Sequence, residues 1–212
     1  MKGISFDDYH SDRDFRLILK PKEMASPAVK VRKIEIEGAD SSLDYTDFFG
    51  EAKYEDFVQK FEFTTTVPQS EFLSLYSTIK NALHGKKMRI TLDDDPLFFY
   101  RGRVSVLPFT TDRGIGQVSI ECDCEPWKYF HQETVAIINV NGSYDFNLRN
   151  TKKRVVPTIT STAKMTITFG GSTWTVNTGT TILPDFELVE GDNYVTVTGT
   201  GTITFKYREG SL

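Results

Sequence analysis

The side chains best suited to chemistry are concentrated between Gly38 and Gly50, where acids, hydroxyls and aromatic rings follow one another. The carboxylates of Asp40, Asp44 and Asp47 could bind a cation, line a catalytic cleft or solvate a structural connection. Their spacing does not match an EF-hand loop, whose oxygen ligands and central glycine occupy fixed positions. The residues therefore disfavour a calcium site and leave the other two interpretations open.

Other residue types that commonly form sites are scattered along the chain. His10, His84 and His131 are far apart, and Cys122-x-Cys124 has no second cysteine pair to complete a zinc site. No GxSxG nucleophile motif is present, and Gly114-Ile-Gly116 is too short for a phosphate-binding loop. We expect no metal, no cofactor and no enzymatic activity. Two carboxylates at a glycosidase separation remain an open enzymatic alternative, because a sequence does not give that separation.

The charge and hydropathy of the chain argue against several classes of partner. Its 212 residues carry a net charge of −4, whereas proteins that grip nucleic acid cluster lysine and arginine against phosphate. No apolar run is long enough to span a bilayer, and the acidic N-terminus does not resemble a secretory signal. We expect a protein made in the cytoplasm, without membrane insertion and without specific nucleic-acid binding. Cys122 and Cys124 are expected to be reduced and buried, because a disulfide between residues so close would be strained.

The first part of the chain is predicted to consist mostly of strands. Phe57, Phe61 and Phe63 share one face of an alternating segment at 54–67. One segment differs: in 70–84 the apolar residues recur at helical spacing, and Gly85 follows as a stop signal. The sequence predicts one amphipathic helix lying on a sheet.

The acidic stretch lies between two predicted strands, 31–37 and 54–67, which favours a structural connection over a cleft. Composition shifts near residue 133, where charged residues become fewer and threonine becomes frequent. The shift predicts an N-terminal domain at 1–132 and a C-terminal domain at 133–212.

The C-terminal part predicts an all-β unit. Sixteen of the 62 residues from Thr151 onward are threonine, whose branched side chain suits a pleated, half-exposed strand. Glycines at 170–171 and at 199–201 each predict a hairpin turn, and Asn141-Gly142-Ser143 predicts a further turn. The expected strands of this small β-sandwich are 135–140, 155–160, 164–169 with 173–177, and 194–198 with 202–207.

Ordered motifs along the chain resemble the distal tail protein (Dit) family of long-tailed bacteriophages and prophages. The strand and loop from Ile34 to Thr46 are similar to a Gly-x-Asp-Gly-Ser-Leu-Asp type loop of that family, with Ser41 where glycine is usual. The C-terminal part is similar to the family's galectin-like sandwich. The other motifs are, in chain order, Gly50-Glu-Ala-Lys-Tyr54, Asn81-Ala-Leu-His-Gly85, Met88-Arg-Ile-Thr-Leu92, Asp95-Pro96-Leu-Phe-Phe-Tyr100, Cys122-Asp-Cys124-Glu-Pro126-Trp-Lys-Tyr129, Val156-Pro157-Thr-Ile159 and Leu188-Val-Glu-Gly191.

The resemblance implies a mainly β protein with a structural role. Its N-terminal domain, β-sandwich-like with one helix and a hairpin extension, would form a hexameric ring at the tip of a siphophage-type tail. A C-terminal galectin-like β-sandwich would project outward. The ring is expected to contact the major tail tube protein and the tail-associated or tail fibre protein, with the tape-measure and receptor-binding proteins as further partners. DNA would pass through the ring, and the protein would reside in the virion tail tip, in the baseplate hub.

Two sets of candidate site residues follow. The hairpin extension is expected to touch the next subunit, whereas exposed aromatic residues of the C-terminal sandwich could stack on sugar rings. The alternative function is therefore a saccharide-binding module that contributes to recognition of the host cell wall. The candidate subunit contacts are Asp40, Asp44, Tyr45, Asp47, Phe48 and Tyr54. The candidate stacking residues are Trp174 and Tyr194, of which Trp174 is also expected in the core.

Overall fold

The computed structural model describes residues 2–48 and 50–212. Strands dominate, and the described residues contain one α-helix, so the predicted fold class is confirmed. The chain divides into two compact units, residues 1–128 with Leu212 and residues 129–211. The boundary predicted between 132 and 133, and the roles attached to the two domains, stay predictions.

The first unit contains one extended antiparallel sheet. Its strands run in the order β2-β1-β7-β8-β10-β6-β3, and β9 also pairs with β10. A separate two-stranded sheet joins β4 and β5. The strands are β1 (Ile4–Phe6), β2 (Tyr9–His10), β3 (Leu17–Leu19), β4 (Lys33–Ile34), β5 (Leu43–Asp44), β6 (Phe57–Thr65), β7 (Lys87–Leu92), β8 (Phe98–Val106), β9 (Thr110–Asp112) and β10 (Ile115–Phe130), the last of which continues into the second unit.

The helix α1 (Phe72–Leu83) covers the core face of this sheet and confirms the prediction for 70–84. A short 3-10 turn (Gln69–Glu71) precedes it. The helix buries Phe72, Ile79, Ala82 and Leu83. Ile79, Ala82 and Leu83 meet the alternating apolar residues of the strands, which include both cysteines, and burial of this shared core stabilises the unit. Gly85 follows the helix in the left-handed region, with a φ of +79°, as its predicted role as a stop requires.

The two cysteines are free and buried on the core face of β10, as predicted. Burial raises the pKa of the Cys124 thiol to about 12 and that of Cys122 further. Both therefore remain protonated near neutral pH and act as apolar core residues.

A buried histidine ties the N-terminal strands to the turn that follows β7. The Nδ1 atom of His10 accepts the backbone N–H groups of Asp12 and Arg13, both at 3.2 Å. This leaves Nε2 to donate to the Asp93 carboxylate at 3.2 Å. Asp93 also accepts the backbone N–H of Gly3 at 2.7 Å. Burial, the largest single influence, raises the pKa of Asp93, but the hydrogen bonds from Gly3 and His10 lower it overall.

The second unit is a six-stranded sheet that curls around its own core. Its order is β14-β13-β16-β12-β15, and β11 pairs along the other edge of β16. The predicted hairpin at 164–177 is confirmed by the pairing of β13 with β14. The six strands are β11 (Thr134–Asn150), β12 (Thr158–Ser161), β13 (Met165–Phe169), β14 (Ser172–Val176), β15 (Gly179–Ile182) and β16 (Gly191–Tyr207). A further short strand, β17 (Gly210–Ser211), pairs with β10.

The second predicted hairpin is wrong, because Gly199 and Gly201 bend a strand instead of turning it. Residues 191–207 form one continuous strand, which pairs with β11 from end to end. The turn predicted at 141–143 is likewise part of a strand. A Cβ on Gly199 or on Gly201 would come within 2.9 Å of the Met165 side chain. The bend lets β16 pair with β13 before it and with β12 after it, so one strand serves both layers of the sandwich.

Candidate subunit interface

The acidic stretch belongs to an excursion of the first unit, residues 29–54, here called the arm. Its two ends meet at a bridge between Val29 and Tyr54. Backbone hydrogen bonds from Lys30 N to Lys53 O (2.7 Å) and from Glu55 N to Ala28 O (2.8 Å) close the base. Paired extended segments therefore fix the base of the arm, while β6 immediately follows it in the core.

The distal part of the arm is a short hairpin. Lys33 pairs with Asp44 and Ile34 with Leu43, so the strand predicted at 31–37 is shorter in the structure. The acidic stretch is not only a connection, because it contributes β5 to this hairpin. The remaining described residues of the stretch form the loops on either side of β5.

The return from β5 is held by an Asx-type turn. The Asp44 carboxylate accepts the backbone N–H of Thr46 at 2.9 Å, and the Thr46 hydroxyl accepts the backbone N–H of Arg32 at 2.9 Å. The side-chain and backbone hydrogen bonds of Thr46, followed by the nearby charge of Lys33, hold the pKa of Asp44 below its ordinary value. Asp44 is therefore ionised near neutral pH and has a defined structural partner within the arm.

The arm exposes apolar side chains that its own unit does not cover. Between Leu17 and Phe57, no described residue is buried. Ile34 and Leu43 face each other across the hairpin yet remain 51% and 55% exposed, and Phe48 is 77% exposed. Val29, Val31 and Ile36 are also exposed. Such a contiguous apolar segment is typical of a surface that a partner covers.

A groove is formed by residues of the arm itself. Its volume is about 880 Å³. Its walls combine apolar side chains with two carboxylates, so it could receive a mixed apolar and basic surface. The lining residues are Val29, Val31, Leu43, Asp44, Tyr45, Thr46, Asp47, Phe48 and Ala52.

Two side chains anchor the base of the arm to the first unit. The Tyr54 ring packs edge-on against Trp127 with ring centroids 5.5 Å apart. The buried amide of Gln59 accepts the backbone N–H of Ala25 (2.8 Å) and donates to the carbonyl of Glu23 (2.7 Å). Gln59 thus holds the segment that leads into the arm, a role that the sequence did not reveal because glutamine carries no positional signal there.

The predicted contact residues fall into three places. Asp44, Tyr45, Asp47 and Phe48 line the groove together. Asp40 lies in the exposed loop between β4 and β5, and Tyr54 lies at the base. Their role in subunit contact stays a prediction. The sequence prediction omitted the exposed apolar residues between Val29 and Ile36, although charged residues are interspersed among them in the sequence.

A second apolar groove lies beside the start of α1. Its volume is about 430 Å³. Phe109 packs against Phe72 and Tyr76 at its floor, with centroids 5.2 Å and 5.9 Å apart. Leu73 stands at its rim and is 77% exposed. The first unit therefore presents two different apolar surfaces, the arm and this helix groove.

The two candidate stacking residues lie on opposite faces of the sheet. Trp174 pairs with Ile167, which pairs with the buried Val197, so its side chain is on the core side. There it packs edge-on against Phe186, with centroids 5.7 Å apart. Tyr194 has the opposite parity in β16 and is 74% exposed. The two rings cannot form one platform.

The described residues, 2–48 and 50–212, hold no group of three or more His, Cys, Asp or Glu side chains placed to bind a metal ion. Asp40 therefore does not join Asp44 and Asp47 in a cation site. Within the same ranges, no helix combines the length and the apolar character that a membrane span requires.

Comparison with known proteins gives matches among solved structures. No family model matches the chain, and no curated protein matches it by sequence. The crystal structure of SPP1 Dit (gp 19.1), described as a paradigm of the hub adsorption apparatus in phages that infect Gram-positive bacteria, matches with a TM-score of 0.72. That match has 17% identity and covers 98% of this chain and 99% of the other. A chain of the phage P2 baseplate in its activated conformation matches with a TM-score of 0.50 and 7% identity, covering 100% and 99%. The resemblance expected from the sequence motifs is therefore confirmed at the level of structure: this chain has the fold of a Dit protein over nearly its whole length.

Proposed function

We propose that this chain is a non-enzymatic structural hub at the tail tip of a long-tailed phage or prophage. The observation that carries the proposal is the match to SPP1 Dit, which spans 98% of this chain and 99% of that one. A match over the whole of both chains supports a shared architectural role more strongly than a match of one common β-sandwich would.

The hub is a ring of six copies joined through the arm. A closed ring requires head-to-tail contacts, in which one surface of a subunit meets a different surface of the next. The first unit offers such a pair of surfaces, because the arm exposes Ile34, Leu43 and Phe48 and the helix groove exposes Leu73 above an aromatic floor. We assign the helix groove as the surface that receives the neighbouring arm.

The partners of the ring follow from the position of a tail-tip hub. The major tail tube protein lies above it, and the tail-associated or tail fibre protein lies below it. The tape-measure and receptor-binding proteins are further partners. The net charge of −4 suits a ring through which DNA passes without being held, because like charges repel the phosphate backbone.

The test is the mass of the purified chain in solution over a wide concentration range. The expected result is a hexamer of the 24.1 kDa chain, formed alone or on addition of the tail tube protein. A variant in which a short Gly-Ser linker replaces residues 30–53 should stay monomeric while keeping the unfolding temperature of the parent. A parent chain that is monomeric both alone and with the tube protein would overturn the proposal.

A further inference from the structure

The outer face of the second unit carries an exposed aromatic ring at the centre of a polar surface. Tyr194 lies on β16, directly opposite Asn147 of β11. Alternation along the two strands places Asp145, Thr196 and Asp192 on the same face. Asp192 is two residues from Tyr194 along the strand, and Asp145 is its diagonal neighbour across the strands, roughly 7–8 Å away. We call these residues the Tyr194 face.

The polar groups of this face are fixed before any ligand arrives. The Thr196 hydroxyl donates to the Asp145 carboxylate at 2.6 Å. The Asn147 amide donates to Asp192 at 2.8 Å and accepts the backbone N–H of Asn193 at 2.8 Å. Each aspartate keeps its second carboxylate oxygen without a hydrogen bond from the described residues. Oriented acceptors therefore lie on both sides of an exposed ring.

The chemistry of the Tyr194 face decides between classes of ligand. Two aspartates against the single Arg149 that shares the face would repel a phosphate polymer. The neighbours of Tyr194 are hydroxyl, amide, carboxylate and guanidinium groups, whereas the core of a protein interface is apolar and depleted in charge. A neutral saccharide has the complementary character, because its C–H faces pack on an aromatic ring and its hydroxyls donate to carboxylates.

We propose that the Tyr194 face binds a neutral polysaccharide. Tyr194 supplies the stacking surface, and the free carboxylate oxygens of Asp145 and Asp192 accept hydrogen bonds from sugar hydroxyls. Trp174 takes no part, since it lies on the core side against Phe186. The proposal concerns the second unit alone and does not depend on assembly of the ring.

The test is native affinity electrophoresis of the full chain in gels that contain a neutral polymer: a galactomannan, a mixed-linkage β-glucan or dextran. Retardation by at least one polymer is expected. Tyr194→Ala should weaken it about ten-fold, which corresponds to loss of one stacked ring, and Tyr194→Phe should retain most of it. Tyr144→Ala is the matched control. Tyr144 is 51% exposed but pairs with Val197, so its side chain lies on the opposite face of the sheet from Tyr194. This variant should bind like the parent.

Three results would overturn the proposal. The first is the absence of retardation by every neutral polymer. The second is equal retardation of the parent and Tyr194→Ala. The third is retardation by heparin or DNA alone, which would indicate ionic binding. Circular dichroism of each variant separates loss of binding from loss of folding. Replacing an exposed side chain such as Tyr194 should leave the spectrum unchanged.

Discussion

The cross-strand pair Ile34 and Leu43 gives the sharpest test of the arm. Changing both to serine removes two half-exposed side chains, 51% and 55% exposed, from the surface that a neighbouring subunit would cover. Full burial of such a side chain contributes about 1.5–3 kcal/mol, so covering the exposed half contributes about 1 kcal/mol for each residue. The double variant should therefore lose about 2 kcal/mol per subunit contact, or roughly 30-fold in the association constant.

The same change should affect folding little. No described residue of the arm is buried, and loss of one cross-strand pair costs at most about 1 kcal/mol, confined to the hairpin. Sedimentation velocity at several protein concentrations measures assembly, and thermal unfolding measures stability. Serine at Ile137 and Ile182 is the matched control, because these two residues are 66% and 62% exposed in the second unit.

Three results would contradict this assignment of the interface. Unchanged assembly of the arm variant would show that the hairpin lies outside the interface. A large fall in unfolding temperature would show that these side chains are covered within their own subunit. A control variant that lost assembly equally would transfer the contact to the second unit.

Three further predictions concern stability and reactivity. Gly201→Ala should destabilise the second unit by about 1–3 kcal/mol in denaturant unfolding, because φ is +144° and the new Cβ would lie 2.8 Å from the Thr162 hydroxyl; an unchanged midpoint would contradict the bend. Cys122 and Cys124 should react with a thiol reagent at pH 8 only in denaturant, because burial raises both thiol pKa values; rapid labelling of the native chain would contradict their burial. The folded pKa of Asp93 is lowered from 3.8, so its stabilisation is complete above the unfolded pKa and is lost as pH falls through the folded value. Asp93→Asn should accordingly lower the free energy of unfolding at pH 7 and make it fall less steeply below about pH 4. Parallel pH profiles of this free energy for parent and variant would contradict this.

The elements with strong local signals were predictable from the sequence. The helix could be placed because its apolar residues recur at helical spacing and Gly85 stops it. The 164–177 hairpin could be placed because two glycines join two alternating segments. Gly199 and Gly201 show the limit of this reasoning, since glycine permits a turn and a bend alike. The bend is favoured because Met165, which is distant in sequence, packs closely against both glycines.

The candidate site was predictable in location but not in its energetics. The acidic stretch was placed next to a hairpin extension, and four of the six predicted contact residues line one groove. The apolar pair Ile34 and Leu43 was missed, because exposure depends on the absence of a covering element, which a local pattern does not report. For the same reason Trp174 and Tyr194 could not be assigned to faces until the register with Val197 was known.

We propose that the arm joins copies of this chain into the ring of a tail-tip hub. Negative-stain electron microscopy of the purified chain, mixed with the tail tube protein, tests it most directly. We expect class averages of a six-fold ring, which the Ile34→Ser, Leu43→Ser variant should not form. Averages that show only single copies for the parent chain, or equal rings for both proteins, would contradict it.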